Sequence, residues 1–261
     1  MLSEQKKLLR EELVRNVLHF QKHPQMRPFI GDDYDKTRLL ILGESHYLPK
    51  KEEKKKEKID NWYNTPAAEW LFGGFDVDKE SDWKDEQKQW YCDTYTAVLV
   101  RNALLDKKDN MYKRLHEVLQ AGQINGGLNA CAYMNFFQRP SEISGASIHN
   151  NALDNEYAAH TLNEVCQVLK PTKIYFASVK AFKGLGKFVE EHGLDKTEGT
   201  DELENVWRIK WWFNDALIGH GNHPKDRNGG LQAASRDYSK PRGQETITGA
   251  QSLRCFAQFQ P

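Results

Sequence analysis

Hydrophobic positions divide this chain into segments of helical and of strand period. From Ser3 to about Phe20, Leu8, Leu9, Leu13, Val14, Val17 and Leu18 recur at three- and four-residue spacing, which predicts an amphipathic helix with Ser3 available as its N-cap. Pro24 and Pro28 end it. Arg38-Leu39-Leu40-Ile41-Leu42 is a short unbroken apolar run stopped by Gly43, the pattern of a strand buried on both faces. The mixed charges from Lys50 to Lys58 follow and read as a solvated insertion.

Helical spacing returns from Trp83 to about Leu105 and from Asp109 to Leu119, the latter with Met111, Leu115, Val118 and Leu119 on one side. Gly122 and the pair Gly126-Gly127 break the chain before Leu128 to Phe137, a second strand with an exposed tip, stopped by Arg139-Pro140. Leu153 to Leu169 places Tyr157, Ala158, Thr161, Leu162, Val165 and Cys166 at helical spacing and closes at Lys170-Pro171. Lys173 to Ser178 predicts a third strand and Ala181 to Glu191 a helix. Trp207 to Gly219 predicts one or two strands leading into His220-Gly221-Asn222-His223-Pro224.

Strands alternating with helices predict an α/β fold with a parallel sheet and helices on both faces. Right-handed crossovers bring every strand's carboxyl end to one edge, where ligands bind. Gly43 to Tyr47, Asn135 to Phe137 and His220 to Pro224 then converge there although they are far apart in sequence. No internal repeat is evident, and the 261 residues read as one domain. That domain carries a charged insertion near 50–60 and a polar C-terminal segment near 225–250.

Charge and composition narrow the function. Thirty-seven basic residues cancel thirty-seven acidic ones, which argues against coating nucleic acid by bulk charge, so any DNA contact must come from a local patch. The apolar runs are too short to span a bilayer, and the Met1–Lys7 start lacks the pattern of a signal peptide; a soluble cytoplasmic protein is expected. Cys92, Cys131, Cys166 and Cys255 form no Cys-x-x-Cys pair, so they are expected as buried thiols, with neither metal nor cofactor.

Three segments in this order carry a family resemblance: a buried strand ending in Gly43-Glu44-Ser45-His46-Tyr47, a strand ending in Asn135, and a strand followed by His223-Pro224. With Pro171 to Ala181 as a third strand and its following helix, the chain resembles the uracil-DNA glycosylase superfamily over roughly residues 36 to 230. The resemblance implies a three-layer α/β/α fold with a central, mainly four-stranded parallel sheet. It also implies a DNA glycosylase, which flips out a damaged or modified pyrimidine and hydrolyses its N-glycosidic bond; no lysine stands out as a Schiff-base former, so a monofunctional enzyme that leaves an abasic site is expected, and a monomer.

Carried over position by position, Gly43 allows close backbone approach and Ser45 stands where the family usually has a water-activating Asp. His46 replaces a Pro, and Tyr47 takes the place of a Tyr at the pyrimidine C5 edge. Glu44, His46 and Asp226 are then the candidates to orient or deprotonate water. Asn135 can read a uracil-like or a cytosine-like edge, because its side chain offers both a carbonyl oxygen and an amide donor. Phe136 or Phe137 can stack on the extruded base. His223 would donate to the base O2 as negative charge develops there. Lys225, Arg227, Arg236, Lys240 and Arg242 are candidate phosphate contacts on single- or double-stranded DNA. Base-excision repair is the default role, and defence against phage DNA carrying modified cytosines is the alternative suggested by the Glu44-Ser45-His46 centre.

Two rival readings share these residues. A non-catalytic nucleotide- or DNA-binding module on the same fold would explain the missing motif Asp. Gly43-Glu44-Ser45-His46-Tyr47 also nearly matches a Gly-x-Ser-x-Gly nucleophile elbow, in which Ser45 would be the nucleophile of an esterase.

Overall fold

The computed structural model describes residues 4–47, 61–64, 96–105, 110–143, 146–193, 197–198, 206–208 and 217–220. Its centre is a seven-stranded sheet in the order β1-β4-β2-β6-β9-β8-β7. Four of these strands run parallel side by side: β4 (Cys131–Asn135), β2 (Leu39–Gly43), β6 (Lys173–Phe176) and β9 (Leu217–His220). Short antiparallel strands flank them, β1 (Phe29–Ile30) on one side and β8 (Val206–Arg208) then β7 (Thr197–Glu198) on the other. The parallel centre matches the expected four strands. The flanking strands are two or three residues long, too short to show a period in sequence.

Every residue of β2 is buried, and alternate side chains enter two separate apolar clusters. Leu40 and Leu42 join Ala132, Met134, Ile174, Phe176 and Ile218 beneath α1 (Glu4–Asn16), α6 (Ala152–Leu169) and α7 (Val179–Glu191). Leu39 and Ile41 join Cys131, Tyr133 and Tyr175 against α4 (Thr96–Leu104) and α5 (Asn110–Ala121). The strands are apolar at consecutive positions because helices cover both faces. The helix expected over 3–20 is broken at Val17 and resumes as α2 (Leu18–Lys22); a turn at Tyr34–Thr37 forms the short α3.

Topology explains which face each helix takes. From β2 the chain passes through α4 and α5 to β4 on one side, then through α6 back across β2 to β6 and through α7 to β9. Right-handed crossovers that travel in opposite directions put their helices on opposite faces. The direction reverses at β2, so the crevice at its carboxyl end, between β2 and β6, is the switch point at which open sheets of this kind bind ligands.

Helix boundaries follow local chemistry. Asn151 caps α6 by accepting from the Asp154 amide at 2.9 Å, while Asp154 accepts from the Asn151 amide at 2.9 Å. Ser178 caps α7 by accepting from the Ala181 amide at 3.2 Å. Cys131 and Cys166 are buried free thiols, and burial pushes Cys131 up to about 12. No helix among the described residues is long and apolar enough to cross a membrane.

One short piece, Asn61–Asn64, sits firmly on the α1/α6 face. The buried Trp62 ring stacks on His23 at 4.6 Å, and His23 stacks in turn on His19 at 4.8 Å. His23 Nε2 lies 2.9 Å from the Trp62 carbonyl, and Tyr63 stacks on Tyr157 at 4.1 Å. Both histidines are held neutral by burial, His23 with its pKa lowered to about 4 and His19 also well below the ordinary value.

A pH dependence of stability follows. As pH falls below about 6.5 the unfolded chain takes up protons at these histidines while the native chain does not, so stability is present above that pH and is lost on acidification. His23 alone accounts for roughly 3 kcal/mol by its native pKa of about 4. Urea unfolding measured from pH 7.5 to 4.5 should show this decline, and His23→Phe should flatten it by up to about 1.4 kcal/mol per pH unit. A His23→Phe profile parallel to that of the unaltered protein would refute the assignment.

Candidate functional site

Gly43 and Asn135 end adjacent parallel strands in register. A side chain at Gly43 would meet the Tyr133 hydroxyl at 2.0 Å and Asn135 Oδ1 at 2.3 Å. The close approach that glycine permits is therefore made by two side chains of β4, which lie across the Gly43 backbone. The Tyr133 hydroxyl donates to Asn135 Oδ1 at 3.4 Å, and Asn135 is 7% exposed. No described residue engages the Asn135 amide nitrogen.

Beyond this pair the two strands fall out of step. Gly43 pairs with Asn135 and His46 with Pro140, so the two residues Glu44 and Ser45 lie opposite the four residues 136–139. The Phe136 and Phe137 amides donate to the Gly43 and Glu44 carbonyls, at 3.0 and 2.9 Å. Gln138 closes the surplus by folding back, its Nε2 donating to the Asn135 and Phe136 carbonyls at 2.7 and 2.9 Å. Trp62 Nε1 holds the outside of the bulge through the Gln138 carbonyl at 2.7 Å.

The bulge turns both phenylalanines inward. Phe136 packs edge-on against Phe137 and Phe176, with ring centres 5.1 and 5.5 Å apart, and neither Phe136 nor Phe137 is exposed. This corrects the expected stacking platform: strand β4 ends at Asn135, not Phe137, and the rings after it fill the core.

Glu44 occupies the switch-point crevice, half-buried. Its Oε2 accepts from Ser178 Oγ at 3.1 Å, and its Oε1 accepts from the Ile148 amide at 3.2 Å. Ser178 also accepts from the Ala181 amide, so its one proton is committed to Glu44. Each carboxylate oxygen thus has one donor among the described residues and retains a further acceptor site.

Ser45 and His46 turn inward. Ser45 is 8% exposed and its Oγ has no hydrogen-bond partner among the described residues. His46 is 3% exposed, its Nε2 lies 3.0 Å from Thr96 Oγ1, and burial lowers its pKa to about 3. His46 is therefore a neutral ring occupied by Thr96, not the free water base of the sequence reading. The same geometry counts against an esterase elbow: Ser45 has no histidine partner among the described residues, and the chain continues into β3 (His46–Tyr47) instead of a helix.

The segment after the bulge is fixed by charge. Strand β5 (Pro140–Ser141) pairs with β3, and Arg139 reaches back with Nε to Asp154 Oδ1 at 2.7 Å and Nη2 to Asp154 Oδ2 at 2.9 Å. Its Nη1 meets Glu142 at 2.7 Å, and Tyr63 donates to Asp154 at 2.7 Å. The Arg139 and Asp154 side chains are 6% and 1% exposed. Lys180 Nζ donates to the Ile148 carbonyl, tying α7 to the same loop.

The Tyr47 backbone pairs with Ser141. The Tyr47 side chain, together with His223, Lys225, Asp226, Arg227, Arg236, Lys240 and Arg242, lies outside the described residues. Sequence reading missed Tyr133, Gln138, Arg139, Ile148 and Asp154, and did not separate Ser178 from its strand. The visible signals were the spacing of Asn151 with Asp154 and of Ser178 with Ala181, both those of helix caps. Comparison with protein-family models and with curated protein sequences returns no match.

Two substitutions test this geometry. Gly43→Ala should displace Asn135 and Tyr133 and lower stability by about 1–3 kcal/mol, measured by urea unfolding. Arg139→Met leaves Asp154 buried without its cation and should cost about 3–5 kcal/mol in the same measurement. A neutral result for either would contradict the contacts described.

Proposed function

We propose that the protein is a DNA glycosylase with the three-layer α/β/α arrangement of the uracil-DNA glycosylase type, acting on a damaged or modified pyrimidine extruded from DNA. The observation that supports this most is the pairing of Glu44 and Asn135 at neighbouring strand ends: a carboxylate held at the switch point by two donors, beside an amide laid across Gly43. A group that orients water and a group that reads a base edge are the minimum that such hydrolysis needs.

In this reading the glycosidic C–N bond breaks with its electron pair leaving on the base, and water adds to the sugar carbon. Glu44 accepts the proton of that water. His223 would donate to the base O2 and stabilise the charge that develops there. The Tyr133 hydroxyl engages Asn135 Oδ1, so Asn135 presents its NH₂ to the base. That donor suits the O4 acceptor of a uracil-type base; a cytosine-type base, modified phage cytosines included, offers an amino donor there and would require the amide turned over. Ser45 carries no charge in this scheme, and Lys225, Arg227, Arg236, Lys240 and Arg242 would serve as phosphate contacts.

A non-catalytic base-binding module is the second reading, favoured by the inward-facing Ser45 and His46, neither of which engages Glu44 among the described residues. An abasic-site assay separates the two. Duplex and single-stranded DNA carrying uracil, hypoxanthine, 5-hydroxymethylcytosine or its glucosylated form is incubated with protein and cleaved with alkali. Strand breaks at uracil that fall by about 10²-fold or more in Glu44→Gln and in Asn135→Ala are expected. DNA binding without breaks on any substrate would establish the binding module instead.

A further inference from the structure

Helix α7 departs in several ways from what an isolated helix favours. Lysines stand at 180, 183 and 187, in its first nine residues, whereas Glu190 and Glu191 occupy its last turn. That is the reverse of the order a helix dipole favours. Lys183 and Lys187 are both exposed, and their four-residue spacing sets two like charges on adjacent turns of one face, which is unfavourable. Neither makes an ion pair with a described residue. Lys180 is different, because its amine is taken by the Ile148 carbonyl.

Gly186 lies on the same face, three residues after Lys183. The helix holds two glycines, and packing accounts for the first alone. A Cβ at Gly184 would meet Phe137 Cζ at 2.9 Å and Asn155 Oδ1 at 3.1 Å, so α7 can lie against the 136–139 bulge because that side chain is absent. A Cβ at Gly186 would meet no described residue within 4 Å, and its φ is not positive. Glycine weakens a helix interior relative to alanine, and nothing among the described residues offsets that loss. What Gly186 does provide is bare backbone between two exposed ammonium groups.

A charged helix face is most often simply solvated. Here a like-charge pair, a glycine without a packing role and a reversed charge order coincide on one face, and the helix that carries them begins at the candidate site. Its cap, Ser178, donates to Glu44 at 3.1 Å. Lys183 and Lys187 lie roughly 7 and 14 Å along the axis from Ser178, at about 1.5 Å per residue. Because the chain as a whole carries no net charge, a polyanion can be held only by a local patch of this kind.

We propose that the Lys183–Gly186–Lys187 face of α7 is a track for the DNA backbone leading away from the extruded nucleotide, with a phosphate on each lysine and the strand close against Gly186. Lysine suits this role as a point charge with rotatable donors, and contacts to phosphate carry no sequence preference. The inference rests on the glycosylase reading and deepens it by giving the strand a path.

Fluorescence anisotropy of a labelled, uracil-containing oligonucleotide, titrated with the full chain at several salt concentrations, tests it. Replacing both lysines, Lys183→Gln with Lys187→Gln, should weaken binding by about tenfold at low salt and flatten the slope of log K against log salt by about two. Lys7→Gln removes an exposed lysine from α1 and should leave affinity within about twofold. Gly186→Gln should weaken binding by about fivefold while the thermal midpoint holds or rises, since glutamine is the better helix former. A lowered midpoint in Gly186→Gln would show that this glycine serves the fold and would remove it from the track. Binding by the double variant that is unchanged, or changed no more than in Lys7→Gln, would overturn the track, and uracil excision by the unaltered protein would leave the glycosylase standing. DNA binding that depends on the two lysines, without excision, would keep the track and remove the glycosylase. If the unaltered protein binds no DNA, both fall.

Discussion

Everything at the candidate site depends on the missing side chain at Gly43. Two adjacent strands of a parallel sheet end in register there, and the second lays both a tyrosine hydroxyl and an amide across the first. Any other residue at this point would push Asn135 away from the strand end. Because Glu44 follows directly, the same displacement would move the carboxylate and its two donors. The glycine therefore joins the amide and the carboxylate proposed to read a base and to orient water, which come from parts of the chain about ninety residues apart.

Polar groups around the site fall into two kinds with opposite roles. Arg139, Asp154, Tyr63 and Glu142 form a buried network in which the charges are paired and hydrogen-bonded, and such networks fix geometry more reliably than they add stability. His19, His23 and His46 are buried without charge. They behave as flat, polarisable packing units; His23 and His46 each set one ring nitrogen on a backbone carbonyl or a hydroxyl. Glu44 belongs to neither group, since it is half-open and only partly engaged, which is the condition expected of a carboxylate that still has a partner to meet.

Much of the sheet was legible in the sequence because its central strands are apolar without interruption and its helices are amphipathic. Leu39 to Leu42 and Lys173 to Phe176 announced themselves, as did the helix from Ala152 to Leu169 with Lys170 after it. The candidate pair Gly43 and Asn135 was also legible, as polar stops on buried runs. The fate of Phe136 and Phe137 was not, because whether an aromatic after a strand faces solvent or core depends on how many residues lie opposite it. Nor could the sequence reveal Arg139 with Asp154, a contact across fifteen positions whose meaning lies in the fold between them. The two- and three-residue edge strands escaped for want of any period.

The surplus at residues 136–139 has a consequence for how this protein can change. Gln138 spends its amide on the carbonyls of its own bulge, and Arg139 turns back toward α6 only because the chain has advanced four residues while its neighbour advanced two. Losing or gaining one residue here would exchange inward and outward positions, sending Arg139 to the wrong side and unseating the loop that supports Glu44. In this stretch segment length is under stricter constraint than residue identity. Divergence should therefore proceed by substitution on either side of the bulge and hardly at all by insertion or deletion within it.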